Sequence, residues 1–222
     1  MNALSHSTSR SLEGLLHGPL VRGSVLSRAH LQFGDYVVSL TRPGEPRMPN
    51  GIECAAEARL RDRVAIGGGR LVIGHAVVKP GPGWNPVPDF HKAHVLPPGP
   101  EPIVLALAGL GPGLTPAGDD VLAGYAAGLV LLHGQRKRAE QIANQAAART
   151  NSLSATLLRH AAQGEVPEVV HILLATGDAR PLLAFGHSSG QAWLRGLVSA
   201  GYAVELEGSS LSALRLAGEG RR

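Results

Sequence analysis

Residues 79–102 hold eight of the chain's sixteen prolines. Proline has no backbone N–H and a fixed φ, so neither a helix nor a central strand runs through such a stretch. It divides the 222-residue chain into two halves joined by an extended connection. The halves differ in kind. Before the connection, residues 21–28, 30–33, 36–41, 63–66 and 70–78 are short β-branched or alternating runs separated by Gly-Asp, Pro-Gly and Gly67-Gly68-Gly69 turns, which predicts strands. After it, apolar residues recur at helical spacing between capping residues. The expected class is α+β: a β-rich region over 1–79, the Pro-rich connection over 80–102, and a helical region over 103–222.

Within the first half, residues 1–7 read as a loose tail. Residues 9–16 read as a short helix with Leu12, Leu15 and Leu16 on one face and Gly18-Pro19 as its stop. Leu31, Phe33 and Leu40 are expected on one inner face, and most of this half reads as scaffold. Met48-Pro49-Asn50-Gly51 reads first as a tight turn, with lining a pocket as its second use.

The second half is organised around residues 109–120, G-L-G-P-G-L-T-P-A-G-D-D. Gly109, Gly111 and Gly113 are free to take positive φ and leave amides uncovered, while Thr115-Pro116 reads as an N-cap and first helical residue. Such a turn collects N–H groups at the positive end of a helix dipole, which favours an anion. An ordinary helix start reads the same way. Nucleotide-binding loops do not fit: there is no Gly-Lys-Ser/Thr, and G-x-G-x-x-G counted from Gly109 meets Leu114.

The helix beyond, 121–132, is apolar nearly all round and is expected to be central, with Gly124 and Gly128 allowing a second helix close. Further helices are expected over 135–149, from Asn151-Ser152 to Gly164, from Pro167 to a Gly177 C-cap, from an Asp178 cap to Phe185, and from Ser188 or Ser189 to Gly201. A last strand is expected over 202–206, with a loose end beyond 208. For Thr150, Ser152 and Ser154 capping is the first reading, and a second helix start facing the same anion is the other.

Residues 186–190, G-H-S-S-G, satisfy the pattern of a serine-hydrolase elbow with Ser188 as nucleophile. That mechanism needs an acid and then a histidine later in the chain, and His187 is the last histidine. The block reads better as another helix start.

Composition excludes other classes. With 44% hydrophobic and 17% charged residues the chain is globular. Its net charge of +4 and pI near 9.7 suggest a nucleic-acid binder, but only Arg136-Lys137-Arg138 forms a run and aromatic platforms are missing. Cys54 is the single cysteine, which excludes an intramolecular disulfide and a multi-cysteine metal site and points to a reducing compartment. No apolar stretch reaches the length of a membrane span, so a soluble, cytoplasmic protein is expected. Asp89, His91 and His94 invite a metal, but the histidines stand three apart in a Pro-rich stretch without further ligands nearby.

Three stretches, 109–120, 150–164 (T-N-S-L-S-A-T-L-L-R-H-A-A-Q-G) and 186–190, together resemble the family containing the AllH subunit of oxamate carbamoyltransferase. The resemblance covers roughly 103–201 and touches the first half only at Pro49-Asn50-Gly51. It implies a cytosolic protein of allantoin catabolism, or a relative, working with other subunits on carbamoyl transfer between oxalurate and phosphate.

For that chemistry the expected donors to a phosphate, carbamoyl phosphate or oxamate-like anion are Gly111, Gly113, Thr115, Ser154, Ser188 and Ser189, with His187 moving a proton. Asp119 and Asp120, the other catalytic candidates, point about 100° apart on a helix, so at most one faces the cleft while the other caps or meets solvent. An acid beside phosphate calls for an intervening cation such as Mg²⁺, for which no full ligand set is evident; otherwise no cofactor is expected and the acid is structural, holding the loop's amides in place. The alternative is a noncatalytic assembly subunit that binds partner proteins and uses the glycine loop only for packing.

Overall fold

The computed structural model describes residues 2–89 and 95–203. Its first half is one ten-stranded sheet: β1 (Asn2–Leu4), β2 (Ser7–Ser9), β3 (Val21–Ser27), β4 (His30–Phe33), β5 (Tyr36–Thr41), β6 (Gly51–Glu53), β7 (Val64–Gly67), β8 (Arg70–Ile73), β9 (Ala76–Lys79) and β10 (Gly83–Trp84). The order is β1-β9-β8-β7-β3-β4-β5-β6-β2-β10. β1 and β2 are successive pieces of one segment, as are β9 and β10, and both pieces pair parallel: Ala3 with Val78, Trp84 with Ser9. Because β2 also pairs with β6, the sheet closes on itself as a barrel.

Closure explains the burial pattern. Successive strand residues point to opposite faces, so alternate residues fill the lumen. Leu31 and Phe33, Val38 and Leu40, Val64 and Ile66, and Leu71 and Ile73 meet in one cluster, with Leu12 and Leu16 against it. Those last two come from a 3₁₀ turn (Arg10–Leu12) capped by Ser9 and the short α1 (Glu13–His17), ending at Gly18.

The second half consists of α2 (Val104–Leu107), α3 (Ala117–His133), α4 (Arg136–Ala147), α5 (Ser152–Ala161), α6 (Glu168–Thr176), α7 (Arg180–Leu183) and α8 (Ser189–Ser199). α3 is central and crosses α8 where side chains are missing. A Cβ on Gly124 would stand 2.3 Å from the Trp193 carbonyl oxygen, and one on Gly196 would stand 2.2 Å from that of Val121. Asn151 caps α5 by accepting from the amides of Leu153 and Ser154, and α6 ends at Gly177 in the left-handed conformation. Among the described residues no helix is long and apolar enough to cross a membrane.

The halves are pinned together along β5 and α5. Both faces of β5 are buried: Val38 and Leu40 point into the barrel, while Val37 packs outward on Leu153 and Leu157. The Val37 amide donates to the Thr156 hydroxyl (3.0 Å), and the Tyr36 hydroxyl meets the His160 ring (2.7 Å). Arg47 pairs with Glu168 and lies over Trp84, which also stacks at a tilt on His171.

The α+β class and the two halves agree with expectation, and three details differ. The expected tail over 1–7 supplies β1 and the start of β2, whose backbone groups are taken by β9, β6 and β10. Residues 70–78 are a hairpin turning at Gly74, φ +57°, not one strand. The proline-rich connection contains β10, which is only two residues long and so lacks any periodic pattern. His91, His94, 204–206 and the end beyond 208 lie outside the described residues, although Tyr202 forms an isolated bridge with Val95.

Candidate functional site

The glycine loop takes the conformation its residues permit: φ is +74° at Gly109, +121° at Gly111 and +97° at Gly113. Its anchor is Asp119, 2% exposed, which accepts from the Gly109 amide (2.8 Å) through Oδ1 and from the Thr150 hydroxyl through Oδ2. Asn151 adds a bond from its amide to the Leu114 carbonyl (2.9 Å). One carboxylate thus binds the start of the loop to the start of α5.

Thr115 departs from expectation. The residue at the N-cap position of α3 is Pro116, which has no side-chain hydrogen bond, and the Gly118 amide donates to Leu110. Freed from capping, the Thr115 hydroxyl lies 3.2 Å from that of Ser189 in the first turn of α8. The 109–120 and 186–190 loops therefore meet across 74 residues of sequence. Ser188 occupies the N-cap position of α8 and Ser189 begins the helix, and the N-cap side chain makes no cap bond, which corrects the expectation that Ser188 or Ser189 would cap.

Beneath this contact lies a cavity of about 340 Å³ between the two halves. The helical half contributes Leu114, Thr115, Asp120, Leu153, Leu157, Phe185, Gly186, Ser189 and Trp193; the barrel half contributes His30, Ser39, Thr41, Glu45 and Met48 among others. A wider pocket of about 730 Å³ adjoins it, sharing Glu45, Pro46, Phe185 and Gly186.

Asp120 is the chemically notable wall. It is 4% exposed, and its Oδ2 has no hydrogen-bond partner among the described residues. Burial, aided by the neighbouring Asp119 charge, pushes its pKa up to about 7, although Ser189 and Trp193 favour the ionised form. A carboxyl poised there can give or take a proton near neutrality. Ser39 Oγ and Thr41 Oγ1 are likewise buried and without partners among the described residues. Burial also pushes the His30 pKa down, and its Nδ1 pairs with the Ser27 hydroxyl.

Of the residues expected from sequence, the structure gathers Thr115, Asp120 and Ser189 at the cavity. Asp119 sits directly behind them as the loop's anchor. Gly111 and Gly113 are exposed on the outer side of the loop, and His187 and Ser188 are exposed and outside the cavity lining. Ser154 is buried in α5 with its hydroxyl unpartnered among the described residues, again outside the lining. The barrel residues were missed. The signal was there in β5, where Ser39 and Thr41 alternate with Val38 and Leu40, but a polar alternate face normally means solvent. Among the described residues no group of three or more His, Cys, Asp or Glu could hold a metal ion.

Residues 107–201 match the family of the oxamate carbamoyltransferase subunit AllH. No curated protein and no solved structure matches the chain. The AllH segment contains the glycine loop, α3, the start of α5, Gly186 and Ser189, and so supplies every helical wall of the cavity. The barrel walls lie outside it.

Proposed function

We propose that the chain is a cytoplasmic subunit of oxamate carbamoyltransferase, or a relative of one, and that its substrate site is the cleft between barrel and helices. The observation that carries this reading is the buried Asp120 carboxyl on the lining of a cavity whose helical walls all lie within the matched segment. In the proposed reaction a phosphate oxygen attacks the carbamoyl carbon of an oxalurate-like substrate. The carbon–nitrogen bond breaks, and the departing nitrogen takes a proton, giving carbamoyl phosphate and oxamate. Asp120 supplies that proton in place of the exposed His187, Thr115 and Ser189 orient the reacting group, and Asp119 holds the loop. The anionic end lies toward the exposed amides of Gly111 and Gly113 at the loop's outer side. Crystals soaked with oxamate or carbamoyl phosphate test this: density reaching Asp120, lost in Asp120→Ala, is expected, and binding elsewhere overturns it.

A second reading has its own support. Ile103, Leu105, Leu110 and Leu114 are 74%, 58%, 57% and 53% exposed along and beside the glycine loop, as a surface for another subunit would be. If the chain is a noncatalytic assembly subunit, complex formation proceeds without any ligand, and Leu105→Glu with Leu110→Glu abolishes it while Asp120→Asn leaves the assembled activity intact.

A further inference from the structure

We propose that His30, on the barrel wall of the cleft, takes the proton that phosphate loses as it attacks the carbamoyl carbon. This rests on the reading of the cleft as the site of carbamoyl transfer and adds the group that the proton balance of that reaction still needs.

When a phosphate oxygen bonds to the carbamoyl carbon, the phosphate hydroxyl gives up its proton; when the carbon–nitrogen bond breaks, the leaving nitrogen gains one. Asp120 supplies the second proton and is left ionised, so a base must take the first. Passing that proton from the base to Asp120 returns both groups to their starting states. No further reactant is needed.

The cleft holds one residue suited to the task. Leu31 and Phe33 point into the barrel, so His30, the residue before Leu31 on β4, leaves it on the outer face. There it pairs across the ladder with Ser39 and lines the same cavity as Asp120. The other titratable side chain of that lining is Glu45, which is exposed and whose Oε2 accepts from the Arg42 amide (2.9 Å). From α5 only Leu153 and Leu157 reach the cavity, and no lysine or arginine lines it.

The ring is also held in a usable orientation. Ser27 Oγ accepts from the Ala29 amide (3.2 Å) and lies 2.8 Å from His30 Nδ1. A hydroxyl oxygen has two lone pairs, so it can accept from Nδ1–H as well, which leaves the lone pair of the ring on Nε2. Nε2 has no partner among the described residues and, unlike Ser39 Oγ, is not one of the sealed and unpartnered atoms. Burial pushes the His30 pKa down, which keeps the ring neutral near pH 7 and able to accept. Once it is protonated, the carboxylates of Glu45 and the newly ionised Asp120 share its cavity and favour the charge.

The test uses the full chain, in the assembled enzyme where activity is read. Carbamoyl phosphate and oxamate run the reaction in reverse, with His30 returning its proton to the departing phosphate, and phosphate release reports the rate. His30→Asn is expected to lower that rate at least about tenfold near pH 7, while the variant still binds carbamoyl phosphate in crystals. By nuclear magnetic resonance, the His30 ring of the parent is expected to titrate below the ordinary 6.5 when empty and to move upward when the carbamoyl phosphate dianion is bound. A smaller loss of rate, or ring resonances that saturating carbamoyl phosphate leaves in place, overturns the role of His30 and leaves the site reading standing. An assembled parent without carbamoyl transfer, carbamoyl phosphate bound away from Asp120, or full rate in Asp120→Asn overturns the site reading and the His30 role with it. If His30→Asn does not fold, the ring titration of the parent decides alone.

Discussion

Inside the barrel, Leu31, Phe33, Ile66 and Leu71 fill a lumen with bulk, whereas where α3 crosses α8 the chain has removed side chains at Gly124, Gly128 and Gly196. Both solutions reach dense packing. They fail in opposite directions. A lumen built from branched aliphatics is damaged by losing atoms, and a crossing built from backbone contact is damaged by gaining them.

The sharpest way to break that contrast is Gly196→Val. A Cβ there lies 2.2 Å from one backbone oxygen and 2.6 Å from the Tyr125 nitrogen, so the helices must part. Loss of the cooperative thermal transition is expected; a variant that melts normally would mean the crossing is slack. In the barrel, Leu71→Ala is expected to cost about 3 kcal/mol by chemical denaturation, within the range for a fully buried leucine, and to leave the fold intact.

The two neighbouring acids carry the same contrast to the site, one satisfied and one not. Asp119→Asn removes a carboxylate that accepts from two donors and is expected to cost about 2 kcal/mol. Asp120→Asn behaves differently with pH. Its folded pKa of about 7 lies above the ordinary 3.8, so between those values the folded chain holds a proton that the unfolded chain has released. The contribution of Asp120 to stability therefore falls as pH rises from about 4 to about 7 and is level outside that window. Asp120→Asn is expected to flatten this fall and to be the more stable protein at pH 8, by roughly 1–3 kcal/mol. Parent and Asp120→Asn stabilities that differ by the same amount across the window would remove the buried acid from the account. The smallest change is Thr115→Ala. Thr115 caps nothing, so about 1 kcal/mol or less is expected, with weakened ligand binding as the main effect.

The contrast also shows what a sequence makes legible. Alternation in Leu31 to Phe33 and Val38 to Leu40 exposed the inner barrel face, and the glycines four apart announced the helix crossing, because both are local patterns of one element. Closure of the barrel was invisible, since β1, β2 and β10 are two or three residues long and pair with segments about seventy-five positions away. Of the residues lining the cavity, Thr115, Asp120 and Ser189 stood out in the sequence as glycine-flanked helix starts. Ser39 and Thr41 did not, because nothing in β5 itself says that its outer face will be roofed by α5. Thr115 was misassigned for a related reason: Thr-Pro is a good local cap, and only the approach of α8 gives its hydroxyl another partner.

The seam of the barrel has a consequence for the order in which the protein is made. Asn2 pairs with Val77 and Ser9 with Trp84, so the first strand leaves the ribosome with its partner still about seventy-five residues unsynthesised. Until residues 76–84 emerge, β1 and β2 keep open edges of the kind that recruit strands from other chains. Contacts this distant in sequence form late and slowly. The nascent chain is thus most exposed to wrong pairing until the first residues of the proline-rich connection are translated, and the helices that complete the cleft arrive only after that interval.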